Sequence, residues 1–292
     1  MIFKKVAHRA AGMIGLDVFR RKPGGWHWSH TADSYYPVSP QSRWGHGKPP
    51  HPKFDALFSA QRDQFSALLE QMMSAKFILD AVPTATDDAS LPWWGNTFFS
   101  SLDACALVGM LHLKRPKRYL EIGSGNSTKF ARFAINSAHI ETEIIAIDPH
   151  PRAEIDGVCD KIIRKPFEEC NSIVLDEIRS GDILFFDGSH RVFQNSDVTV
   201  FFLETLPSLP SGVTVQIHDI VLPVDYPAEW HTRLYSEQYL LAAMLLAKEP
   251  PFRTLLPNYF ACLDPDLRLK SAALVTPYMS PVIGGSFWLE TI

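Results

Sequence analysis

From Arg118 onward, short apolar runs alternate with longer stretches of helical period. RYLEI, EIIAID, DKIIRK, DILFFD and VTVQIHD read as strands, with STKFARFAINS, SIVLDEIRS, DVTVFFLETLPSL and LYSEQYLLAAMLLAKE as helices among them. FRTLLP and SFWLE follow as two more strands. Such alternation predicts a mostly parallel sheet with helices on both faces, a doubly wound α/β fold of seven strands. DILFFD is apolar without alternation, as a strand covered on both faces must be.

Upstream the pattern changes. Phe54 to about Leu79 is helical in period, AVPTATDDASLP is a loop, and Asn96 to Leu113 is a strongly apolar helix. Residues 26–53 have no period and are rich in Trp, Tyr, His and Pro, which suits an arm wrapping the domain or an acceptor-binding wall. At the N-terminus Ile2, Phe3, Val6, Ala10, Met13 and Ile14 share a helical face beside Lys4, Lys5, Arg9, Arg20, Arg21 and Lys22. A basic amphipathic helix of this kind lies on an anionic membrane surface or docks on the body or on a second subunit. The expected organisation is therefore an extension over 1–92 and a domain over 93–292.

The net charge of -4 argues against nucleic acid as the partner. Cys105, Cys159, Cys170 and Cys262 are scattered without metal spacing and read as buried free thiols. No apolar run is long enough to span a bilayer, and charge interrupts the N-terminal apolar residues, so a cytoplasmic protein is expected, one that the N-terminal helix would bring to the inner face of the membrane.

The stretch YLEIGSGNSTKFARFAI carries the chemistry. Gly123 and Gly125 allow a tight turn and a close approach to a ligand. Ser127 or Thr128 is placed to cap the next helix and aim its N–H groups outward. Asp148, ending the second strand, is placed to accept hydrogen bonds from ribose hydroxyls. The third glycine that a dinucleotide requires is replaced by Thr128, and Glu121 disfavours a phosphate and favours an ammonium. Ribose with ammonium suggests S-adenosylmethionine.

E-I-G-S-G-N-S-T, followed by A-I-D-P, resembles motif one and the acidic second-strand position of the class I S-adenosylmethionine-dependent methyltransferases. F-F-D-G-S-H (Phe185–His190) and I-H-D (Ile217–Asp219) resemble the fourth and fifth strand ends of a bacterial subgroup that includes small-molecule and sugar O-methyltransferases. The resemblance runs from about Trp93 to Ile292 and implies a Rossmann-like fold. It implies that Glu121, Gly123 and Gly125 contact the methionine part of the cofactor, with Ser124 and Ser127 in the same turn. Asp148 would hold the ribose, Phe167, after Lys165 and Pro166, would flank the adenine, and Asp187 would close over the sulfonium.

Methyl transfer to a hydroxyl needs alignment and a group to take the proton. Asp187, His190, His218 and Asp219, at neighbouring strand ends, are the candidates, with His218 first as general base because an adjacent carboxylate tunes its imidazole. Alternatively Asp187 and Asp219 hold Mg²⁺, as in some relatives, although there the neighbour of the second Asp bears oxygen and here it is His218. Asp225, Tyr226, Trp230, His231 and Arg233 form a polar-aromatic cluster suited to a sugar or planar acceptor. The expected activity is O-methylation of a small molecule or glycan. A metal-dependent relative with other chemistry, such as hydroxylation, and a non-catalytic scaffold are the competing readings. A homodimer through the N-terminal arm stays open.

Overall fold

The computed structural model describes residues 40–151, 153–275 and 277–292. The basic amphipathic helix and most of the aromatic arm fall outside them. Gln41–Ile292 forms one compact unit.

The segment read as one helix from Phe54 to Leu79 is three helices: Pro52–Ser59 (α1), Arg62–Met72 (α2) and Lys76–Asp80 (α3), the last two joined by a 3-10 turn. Phe54, Phe58, Phe65, Leu69 and Met72 point inward and are buried. Phe58 packs against Phe260 at 5.5 Å and Phe287 at 5.9 Å between ring centroids, so α1 is docked on the sheet. Ser101–Lys114 (α4) begins five residues later than expected, because Asn96 uses its side chain in a loop, accepting from the Phe98 and Phe99 amides. Its residues from Ser101 to Leu111 are all buried, which explains the apolar character all round.

Arg118–Ile122 (β1), Asn126–Ser137 (α5), Glu143–Ile147 (β2), Lys161–Ile163 (β3), Asn171–Glu177 (α6) and Ile183–Phe186 (β4) follow the sequence pattern closely. Asp197–Val200 (α7) then runs into a π turn and a 3-10 turn through Ser208. Thr214–Ile217 (β5), Glu237–Leu245 (α8) and Phe252–Pro257 (β6) come next. Two helices that the apolar pattern did not disclose, Asn258–Leu263 (α9) and Pro265–Val275 (α10), precede Phe287–Thr291 (β7).

The sheet has seven strands in the order β3-β2-β1-β4-β5-β7-β6. β1 pairs in parallel with β2 and β4, β4 with β5, and β2 with β3, whereas β7 runs antiparallel to both β5 and β6. This is the doubly wound, Rossmann-like α/β sheet expected. All four residues of β4 are buried, and Phe186 stacks on Phe201 at 3.9 Å, so both faces are covered. The order reverses at β1, putting the carboxyl ends of β1, β2, β4 and β5 around one crevice, where ligands of open α/β sheets bind. Among the described residues no helix is long and apolar enough to cross a membrane.

Because α1 is part of the core, Phe58→Ala should destabilise the protein by about 3–5 kcal/mol. Chemical denaturation checks this. A loss of only a few tenths would mean that α1 is an appendage.

Candidate active site

Gly123 leaves β1 with φ +80, and its amide donates to the Ile147 carbonyl at 3.0 Å. A Cβ here would stand 1.9 Å from the Asp187 carbonyl oxygen, while the Asp187 amide donates to the Ile122 carbonyl at 2.8 Å. The turn after β1 is thus seated against the end of β4. The Cβ position of Gly125 faces open space, with nothing within 4 Å.

Gly125, rather than Ser127 or Thr128, is the capping residue of α5. Thr128 reaches back, its Oγ1 accepting from the Gly125 amide at 2.9 Å, and Ser127 donates to Glu121. Asp148 Oδ2 accepts from the Ser124 amide at 2.8 Å and its hydroxyl at 3.0 Å, and Oδ1 from the His150 amide at 2.7 Å. The end of β2 therefore fixes the glycine turn. Each carboxylate oxygen has two lone pairs, so Asp148 keeps acceptor capacity.

Glu121 is fully enclosed, and burial pushes its pKa up to about 8 in spite of the Ser127 and Thr128 hydroxyls. Its Oε2 has no hydrogen-bond partner. A buried oxygen left unpaired calls for a donor, and a cationic N–H group would both satisfy it and favour its charge. Phe167, expected beside the adenine, has its ring in the core, edge-on to Phe186 at 6.2 Å. Lys165 is exposed and Pro166 half-buried.

The four expected catalytic residues converge. His190 Nε2 lies 3.3 Å from Asp187 Oδ1 and 3.5 Å from Asp219 Oδ2. His218 Nδ1 lies 3.6 Å from Asp187 Oδ1 and 3.4 Å from Asp219 Oδ1. His190 and Asp219 both hold positive φ, +64 and +55, a conformation uncommon outside glycine that clusters at functional sites. Asp187, His218 and Asp219 each offer a donor atom, all within 4.8 Å of one another, a spacing compatible with a metal ion.

Two further carboxylates lie behind the histidines, and the sequence reading missed both. Glu237, fully buried at the start of α8, meets His190 Nδ1 at 2.5 Å. Asp103, buried in α4, lies 3.5 Å from His218 Nε2 and accepts from the amides of Gly285 and Ser286 and from the Asn258 side chain. An acid inside the apolar run DACALVGML was the available signal for Asp103.

Burial opposes charge on both imidazoles, but the carboxylates outweigh it. His218 is raised well above its ordinary value, chiefly by Asp187 and Asp219, and His190 is pushed up to about 9, chiefly by Glu237. The carboxylates around His218 thus favour its charged form.

The acceptor cluster is rearranged. Asp225 accepts from the Arg43 and Trp44 amides and from the Tyr239 hydroxyl, holding the segment before α1 in place. Tyr226 is buried, and the Arg233 guanidinium covers Trp230 at 4.8 Å. His231 is half-buried, its Nε2 3.3 Å from the Ser42 hydroxyl. Tyr235, not singled out by the sequence, is the aromatic against the site, its ring 4.3 Å from that of His190. A cleft of about 510 Å³ lined by His46, Lys48, Arg62, Pro223 and Tyr259 contains none of the strand-end residues.

Residues 120–220 match a family model described as a methyltransferase domain, the segment from β1 through Asp219. No curated protein matches the chain in sequence. Among solved structures, the Podospora anserina methyltransferase PaMTH1, bound to S-adenosylhomocysteine (SAH), is 16% identical over 85% of this chain and 100% of its own, with TM-score 0.42. A candidate caffeoyl-CoA O-methyltransferase of Staphylococcus aureus is 14% identical over 82% and 100%, with TM-score 0.40. The plantazolicin methyltransferase BpumL, with an analogue of its desmethyl substrate and SAH, is 12% identical over 79% and 98%, with TM-score 0.40.

A methyl group at position 123 cannot be accommodated without moving β4. Gly123→Ala should therefore cost more than the roughly 1–3 kcal/mol of a positive φ alone, and more than Gly125→Ala, whose new methyl meets open space. Urea denaturation of the two variants checks the order.

Proposed function

We propose that this chain, whose residues 120–220 match a methyltransferase domain, is a class I S-adenosylmethionine-dependent methyltransferase that methylates an oxygen of a small molecule or glycan. The observation that carries the proposal is the contact of Gly123 with the Asp187 carbonyl. It joins the cofactor turn to the cluster of Asp187, His190, His218 and Asp219, so that a ligand held by the turn has polar strand-end groups beside its reactive end.

The residues fit the cofactor. Gly125 leaves room for close approach, Asp148 retains acceptor capacity for ribose hydroxyls, and Glu121 has an unpaired oxygen suited to the amino group. Ser124 and Ser127 hold these two acids in position. When bound, S-adenosylmethionine supplies a methyl group on a positively charged sulfur. Asp187 and Asp219, the more exposed members of the cluster, are positioned to hold the acceptor hydroxyl and receive its proton. Tyr235, beside His190, offers an aromatic contact for a sugar or planar acceptor. A glycan acceptor assembled on a lipid carrier agrees with a cytoplasmic protein that the basic residues near its N-terminus bring to an anionic membrane, alone or as a homodimer.

Calorimetric titration with SAH tests the cofactor assignment. Wild type should bind at micromolar concentration, and Asp148→Ala should weaken binding about tenfold or more, the equivalent of one charge-assisted hydrogen bond. No binding by folded wild-type protein would overturn the assignment. Screening hydroxylated glycans and phenols then tests the oxygen acceptor, and methylation confined to nitrogen or carbon would sink that part alone.

A further inference from the structure

Asp103 and Glu237 are both buried carboxylates beside a histidine, but their surroundings differ. Asp103 accepts from the Gly285 and Ser286 amides, the Asn258 side chain and the Ser100 hydroxyl. These donors account for its burial, because they tie α4 to the segment that leads into β7. Glu237 is equally enclosed, yet among the described residues its side chain has a single partner at hydrogen-bond distance, His190 Nδ1 at 2.5 Å from Oε1. Its Oε2 is buried without a partner. A carboxylate kept in the interior with one oxygen orphaned is costly, and packing does not explain it.

The start of α8 does not need this side chain to grip the loop after β4. The Ser236 and Glu237 amides donate to the His190 carbonyl at 2.8 and 3.3 Å, and the Ser236 hydroxyl accepts from the Val192 amide at 2.9 Å. The main chain of His190, at φ +64, is therefore held already. What is left for the Glu237 carboxylate to fix is the ring. Tyr235 packs on that ring at 4.3 Å between centroids, but an aromatic contact does not tell one edge of an imidazole from the other. A carboxylate on Nδ1 does, and it sets which nitrogen carries the proton.

With Nδ1 turned to Glu237, Nε2 lies 3.3 Å from Asp187 Oδ1 and 3.5 Å from Asp219 Oδ2. These two acids follow different strands, β4 and β5, and the imidazole bridges them. Its orientation thus governs how both carboxylates face the crevice.

We propose that Glu237 is a positioning residue for methyl transfer: acting through His190, it orients Nε2 between Asp187 and Asp219 and so keeps both acids aimed at the acceptor hydroxyl. The assignment rests on the role of those two acids proposed above.

Long-range proton–nitrogen spectra of the full chain carrying isotope-labelled histidine test the orientation without any acceptor. The His190 signals are those lost in His190→Gln. Nδ1 should carry a strongly deshielded proton in slow exchange with solvent, and Glu237→Gln should move it upfield and speed its exchange about tenfold or more. Kinetics test the consequence, with whichever acceptor the glycan and phenol screen returns. In Glu237→Gln, kcat should fall about 100-fold, while KM for S-adenosylmethionine and the Kd for SAH stay within about twofold. A residue serving only the fold would instead lower thermal stability, SAH affinity and kcat together. An Nδ1 without a proton in wild type, a spectrum unchanged by Glu237→Gln, or an unchanged kcat would each overturn the proposal. If Glu237→Gln does not fold by circular dichroism, the wild-type spectrum decides. SAH titration separates this from the cofactor reading: SAH bound by wild type without a deshielded Nδ1 proton rejects only the role of Glu237, and that proton seen without SAH binding rejects only the cofactor.

Discussion

The close approach of Gly123 to the Asp187 carbonyl is the constraint on which the rest of the site depends. β1 and β4 are parallel neighbours, and each ends in a turn that must leave the sheet at the same place. The turns fit only because one has no side chain and takes a positive φ. Asp148 ties the adjoining Ser124 to the end of β2, and the Asp187 amide closes the other side on Ile122. Three strand ends are thereby fixed relative to one another before any ligand arrives, which is the form of preorganisation that methyl transfer needs.

Around that frame the protein accumulates negative charge. Asp103, Asp187, Asp219 and Glu237 surround two histidines, and two of these six groups, Asp103 and Glu237, come from helices outside the strand ends that the motifs mark. Bringing four acids together in a largely buried place is costly unless positive charge accompanies them. The two imidazoles supply it when protonated, and an ion between the inner acids would supply it otherwise. Either way the cluster is a place where the balance of charge is set by what enters.

The parts legible in the sequence were those with local causes. The alternation of apolar runs gave the strands and most helices, because each β–α step repeats the same burial pattern. The glycine turn and the D-G-S-H and I-H-D ends identified the inner acids and both histidines, because their place at strand ends follows from the alternation itself. What stayed hidden was set by distant partners. Asp103 and Glu237 acquire meaning only when α4 and α8 are laid over β5 and β4. The single helix expected from Phe54 to Leu79 is broken because its pieces follow different surfaces of the core. α9 and α10 have weak periodicity because they pack against α2 and β6 as well as each other. Phe167 turns its ring into the core against Phe186, an orientation that a family's adenine position does not give.

The sheet order also bears on how the chain acquires its fold. β7 is later in sequence than β6 yet sits between β6 and β5. A nascent chain that has emerged only through β6 therefore presents β5 with an open edge, and β6 has no strand to join. Such edges are templates for wrong pairing between chains, and long-range antiparallel insertion is slow. α9 and α10, which occupy the interval between β6 and β7, bury Phe260, Leu267 and Leu274 beside that gap. The strand that completes the β5 edge therefore follows both helices in the chain, and the order of the sheet ties its closure to their docking.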